Sequence, residues 1–197
     1  VELDLDLLDL DFGGWCLTLA PIPPDEALRR MGAGPLHTIS DALQALHAFD
    51  DDGHFRGLEG TFVLAREIHP GTTLALELPE ETGGIGPQES ILHALSTPER
   101  PAVNVYKNPN TAKLLLAEHN GPLAGLEIRS GRRFGPMSAA LADALTEAGF
   151  SATGYGLAET IAARPTNDLA GLAIAATTGI TLSPAHFTGI WYASTVP

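Results

Sequence analysis

The chain has 197 residues, of which 44% are hydrophobic and 18% charged, a composition that builds a packed core and fits one domain without disulfide staples. Its formal charge of −13 sits in one half: residues 1–100 hold 18 Asp and Glu against 5 Lys and Arg, whereas residues 101–197 hold 6 against 6. That first half repels a phosphate backbone or an anionic membrane surface and attracts a basic protein.

Val1-Glu2-Leu3-Asp4-Leu5-Asp6 is acidic and alternating, and residues 1–12 read equally as a strand, a short helix or an arm. It carries neither the basic start of an export signal nor, anywhere in the chain, a run of about 18 apolar residues that would span a bilayer. Trp15–Ala20 has the aromatic and β-tolerant content of a strand. Pro23-Pro24 opens a helix with Asp25 and Glu26 in its first turn and Gly32 at its C-terminal stop. Thr38 and Asp41 resemble a capping box, and Ile39, Leu43, Leu46 and Phe49 follow at helical spacing, which predicts a helix to Ala48. After the turn cluster Asp50-Asp51-Asp52-Gly53, the runs 61–68 and 72–78 flank Pro70-Gly71 as a hairpin. Gly83-Gly84-Ile85-Gly86 reads as a mobile connection before a helix from Pro87 to Leu95.

Beyond Pro101 the runs 102–107, 113–118 and 123–129 are separated by Asn108-Pro109-Asn110 and Asn120-Gly121, which predicts three antiparallel strands. Helices are expected over 136–148, 157–163, 168–178 and 184–188, the last capped by Ser183. Blocks of strands followed by blocks of helices predict an α+β fold: a mainly antiparallel sheet with helices packed on it and a helical C-terminal part. The expectation is a single domain over 1–197, with a second reading in which acidic 1–100 and charge-balanced 101–197 are sub-units meeting near 98–101.

Trp15-Cys16-Leu17-Thr18-Leu19, Pro24 through Gly32, Asn120-Gly121 followed by Arg133 and Pro136, and Thr178 through Pro184 together carry a resemblance. They resemble an uncharacterised family of actinobacterial proteins known as a domain of unknown function. The resemblance implies a soluble bacterial protein and supplies no catalytic residue.

Seven histidines offer ligands, but none is spaced as His-x-His or His-x-x-x-His, and the single cysteine excludes Cys-x-x-Cys; no metal or cofactor is expected. Asp50-Asp51-Asp52 lacks the alternating ligands and closing Glu of an EF-hand loop, so it reads as a solvated turn or as a contact for a basic partner. Cys16, inside an apolar strand pattern, reads as a small buried residue and not as a nucleophile; alone, it also suits a reducing cytoplasm. No Gly-x-Ser-x-Gly elbow or phosphate loop occurs, and Gly154 through Glu159 lacks the third glycine of a dinucleotide loop. Arg129, Arg132 and Arg133, with Lys107 and Lys113, are too few and too free of interleaved aromatics for a nucleic-acid surface. Trp191-Tyr192 reads either as tail packing or as an aromatic anchor for a partner.

The functional expectation is therefore a non-enzymatic protein-binding or accessory domain, in its sharper form an inhibitor or immunity-like protein for a basic partner. The partner-binding candidates are Asp50, Asp51, Asp52, Trp191 and Tyr192. The alternatives are an enzyme with a dispersed His/carboxylate site and a self-assembling structural component.

Overall fold

The computed structural model describes residues 14–41, 61–77 and 84–197. In chain order its elements are β1 (Trp15–Ala20), α1 (Pro24–Arg30), β2 (His37–Asp41), β3 (Thr61–His69), β4 (Thr72–Glu77) and α2 (Glu89–Leu95). There follow β5 (Ala102–Asn108), β6 (Thr111–Ala117), β7 (Leu123–Glu127), β8 (Arg132–Phe134), α3 (Ala139–Glu147), α4 (Glu159–Ala162), α5 (Thr166–Thr178), a 3-10 turn (Pro184–Phe187) and β9 (Thr188–Val196).

Every residue of β1 is buried, so this strand must have neighbours on both edges and cover on both faces. It pairs antiparallel with β4 on one side and β5 on the other, at the middle of a sheet that has nine strands among the described residues, in the order β2-β9-β3-β4-β1-β5-β6-β7-β8. Alternation divides the core in two. Trp15, Leu17 and Leu19 pack with Leu145 of α3, Ile161 of α4 and Leu169, Ala173 and Ile174 of α5. On the other face, Ala20, Val63 and Ala75 pack with Ala27 and Leu28 of α1 and Leu92 and Leu95 of α2. Helices thus cover both sides of the sheet.

The short helices follow their local signals. Pro24 occupies the start of α1, Asp25 and Glu26 lie in its first turn, and Glu26 pairs with both Arg29 and Arg30 in the last. Gly32 takes a φ of 87° just past that helix. Arg30 Nη1 then donates to Ala94 O of α2 at 2.6 Å, tying the two helices of this face together.

The expected α+β class with a helical C-terminal part is overturned. The described residues form mostly one large antiparallel sheet with few, short helices; two of them, α1 and α2, belong to the first half, and the last element is a strand. β9 enters between β2 and β3 and pairs antiparallel with both. That insertion also corrects the helix expected from Thr38. His37–Asp41 is β2, held by Thr38 opposite Tyr192 and Ile39 opposite Trp191, because cross-strand pairing outweighs the weak helical spacing. The remainder of that expected helix, residues 42–48, lies outside the described residues, as does the arm 1–12. The last expected helix is only the 3-10 turn, closed by reciprocal Ser183 and His186 bonds. The sheet runs on across residues 98–101, since β5 pairs directly with β1. Among the described residues no helix is long and apolar enough to cross a membrane.

Candidate functional site

Cys16, Thr18, Glu77 and Asn104 are all fully buried, and alternation turns the four onto the α1 and α2 face at the centre of the sheet. Cys16 lies opposite Glu77 on β4, and Thr18 lies opposite Asn104 on β5. A carboxylate in such a place needs donors, and these come from the chain that follows β4. Ile85 N–H donates to Glu77 Oε2 at 2.5 Å and Gly86 N–H to Oε1 at 2.9 Å. The Cys16 thiol donates to Oε1 at 3.5 Å. Asn104 Nδ2 is 3.1 Å from Cys16 Sγ, 2.9 Å from Thr18 Oγ1 and 3.2 Å from Leu17 O, while its Oδ1 is buried with no partner.

The glycine-rich stretch is what lets backbone reach the cluster. A methyl group at Gly86 would land on Thr18 Oγ1, 2.5 Å from Glu77 Oε1 and 2.7 Å from Asn104 Nδ2; one at Gly84 would meet Glu77 Oε2 and lie 3.2 Å from Cys16 Sγ. Read from sequence as a mobile connection, residues 84–86 instead form the roof of a polar cell. We expect Gly86→Ala to lose about 2 kcal/mol by forcing the roof off its partners; a urea midpoint equal to that of the parent protein would contradict the packing.

Burial governs the electrostatics. It pushes the Cys16 thiol well above its ordinary range, and the neighbouring Glu77 carboxylate adds to the effect. It also raises Glu77 above the usual carboxylate value, against the lowering contributed by the Gly86 and Ile85 amides and the Cys16 thiol. A neutral, sealed thiol is not a nucleophile.

No protein-family model, curated protein or solved structure matches the chain.

The candidates from sequence fall in different places. Asp50, Asp51 and Asp52 lie outside the described residues. Trp191, which reads from sequence either as tail packing or as an anchor for a partner, is a core residue at 0% exposure, stacked on Phe187 with ring centroids 6.5 Å apart and covered by the Arg66 guanidinium 5.7 Å from its ring. Tyr192 faces the other side of the sheet and is 38% exposed, and Ile190, which sequence reasoning missed, is 70% exposed. Cys16 is buried and free, as its strand pattern indicates. Of the basic residues, Arg133 spends its guanidinium on Ala142 O, Thr146 Oγ1 and Phe150 O, and Arg132 pairs with Glu127 at 3.2 Å. His93 sits 3.6 Å from Glu89 one turn away on α2, and His186 Nδ1 accepts the Ser183 N–H at 2.9 Å. Among the described residues no three His, Cys, Asp or Glu side chains are grouped to hold a metal ion.

The acidic excess can also be located. Five acidic residues fall in 1–13, four in 42–60 and two in 78–83, eleven of the 18 in the first half, with Arg56 as the sole Lys or Arg among them. Segments 1–13 and 78–83 join the sheet beside Trp15 and Glu77, and 42–60 joins it at Thr61. The pairings of Cys16 with Glu77 and of Val63 with Glu77 place these three junctions at one end of the sheet, whereas the other junction of 42–60, Asp41, lies opposite Thr188 at the far end.

Proposed function

We propose that this chain is a non-enzymatic, cytoplasmic protein-binding domain, acting as an inhibitor or immunity-like protein on a basic partner. The observation that carries the reading is the uncovered part of β9, where Ile190 and Tyr192 project from the same side of the strand at 70% and 38% exposure. Large apolar side chains exposed together mark contact sites, and tyrosine is among the residues that dominate interface energetics. Glu67 is exposed two residues beyond Ala65, the partner of Tyr192, while the Arg66 guanidinium lies against Trp191 on the other face. The net charge of −13 adds long-range attraction for a basic surface. The sealed state of Cys16 and Glu77 favours binding over chemistry at the polar cluster.

Affinity capture from bacterial lysate tests this, using the parent chain, the double variant Ile190→Asp/Tyr192→Ala and the triple variant Asp50→Asn/Asp51→Asn/Asp52→Asn. A basic protein should be retained by the parent at low salt and released at high salt, with retention cut about tenfold or more by the double variant. The triple variant should weaken capture mainly at low salt. Equal retention by all three chains, or no retained protein at low salt, would overturn the reading.

A further inference from the structure

The polar cell has a one-sided construction. Its floor is made of three paired strands, β4, β1 and β5, whereas its roof, among the described residues, is hydrogen-bonded to that floor through the Glu77 side chain, with the Ile85 side chain packed into the α1 and α2 core. Ile85 and Gly86 both donate to Glu77, and neither roof glycine could carry a side chain to make another contact. Beyond the roof, Gln88 N–H returns to Ile85 O and closes the turn, while Gln88 O accepts the Ile91 and Leu92 N–H groups of α2, so Gln88 is the point about which the turn can swing. α2 has its own anchors in Leu92, Leu95 and the Arg30 bond to Ala94.

The groups that face the carboxylate are the Cys16 thiol and Thr18 hydroxyl from β1, the Asn104 amide from β5 with the Tyr106 phenol two residues on, Val63 from β3 and the roof itself. Among the described residues no Lys, Arg or His is hydrogen-bonded to Glu77. The Ile85 and Gly86 amides and the Cys16 thiol favour the ionised carboxylate, but with no cation beside it they do not outweigh its burial, and water is its alternative solvent.

We propose that residues 84–88 form a latch closed on Glu77, a unit that opens locally while the strands stay paired, and that ionisation of Glu77 sets how often it opens. The reading does not depend on the protein-binding assignment. Opening uncovers Cys16, which therefore reports it. The sign follows from linkage: burial raises Glu77 in the closed state, so the closed state binds the proton more tightly than the open one. Closure is strongest below the ordinary carboxylate range. It weakens as pH rises from there through the raised value, and it is level above that value.

The test labels Cys16 in the full chain with a disulfide reagent between pH 4 and 8, dividing each rate by that of the same chain unfolded in urea at the same pH. This ratio removes the thiol's own pH dependence. The latch predicts that protection falls with rising pH, by at most about tenfold per pH unit, while circular dichroism is unchanged. Glu77→Gln should flatten the pH dependence and label faster than the parent. Amide exchange read by mass spectrometry needs no variant: peptides covering 84–88 should exchange at least about tenfold faster than those covering β1, β4 and β5. Protection equal to the global unfolding constant at every pH, or uniform exchange across roof and floor, would overturn the latch. A Glu77→Gln variant that folds and keeps the parent's pH dependence would overturn the role of ionisation.

Discussion

Glu77→Ala should lose about 3 kcal/mol of stability in urea denaturation, the expected consequence of stranding the Ile85 and Gly86 N–H groups, at about 1–3 kcal/mol for each unsatisfied buried donor. Two effects oppose each other at this site. Removing a buried charge relieves its desolvation, which in some proteins makes an apolar replacement neutral. Here the donors left behind belong to the backbone and cannot be removed with the carboxylate, and the roof glycines offer no side chain to fill the gap, so the loss wins. The relief grows with ionisation, so the measured cost should be larger near pH 4 than near pH 8. Since a domain's whole stability is only about 5–15 kcal/mol, the variant should also unfold at visibly lower temperature. A loss under about 0.5 kcal/mol at both pH values would show that the roof contributes nothing to the fold.

The local half of this architecture was legible. Pro23-Pro24, Pro70-Gly71, Asn108-Pro109-Asn110 and Asn120-Gly121 punctuate the chain where α1, the β3/β4 hairpin and the β5–β6–β7 meander begin and turn. These features depend on neighbours a few residues apart, which is the range over which turn chemistry acts. The non-local half was not legible. Ile39 belongs to a strand because Trp191 lies opposite it, a pairing 152 residues distant that no local window contains. Thr188 to Val196 does carry a strand's content of β-branched and aromatic residues, and this signal could have found β9; the helical block before it drew the reading towards a helical end.

The polar cell hid for a related reason. A glutamate at the end of a hairpin strand ordinarily reads as solvated, and the partners that bury this one lie 61 residues back at Cys16 and 8 to 9 residues ahead at Ile85 and Gly86. The legible clue was Gly84 and Gly86 flanking an apolar Ile85, a pattern that suits a backbone pressed against other atoms as well as it suits a free loop. Only the assembled sheet chooses between the two.

Adjacent residues of β9 provide the second large effect, and they separate packing from recognition. Trp191→Ala should cost about 4 kcal/mol, the range for truncating a large buried aromatic, because the ring sits between Phe187, Arg66 and the α5 side of the core. Trp191→Phe should cost less, since it keeps an aromatic face for the guanidinium and strands no partner: the indole Nε1 is buried without an acceptor in the parent protein. Tyr192→Ala, one residue further on and facing the opposite side of the sheet, should change stability by less than about 1 kcal/mol while weakening capture of the basic partner. Urea denaturation and capture measured on the same three variants therefore form a crossed test. If Tyr192→Ala destabilised the fold as much as Trp191→Ala, the exposed side of β9 would be a structural surface, and its assignment as the contact site would fall with that result.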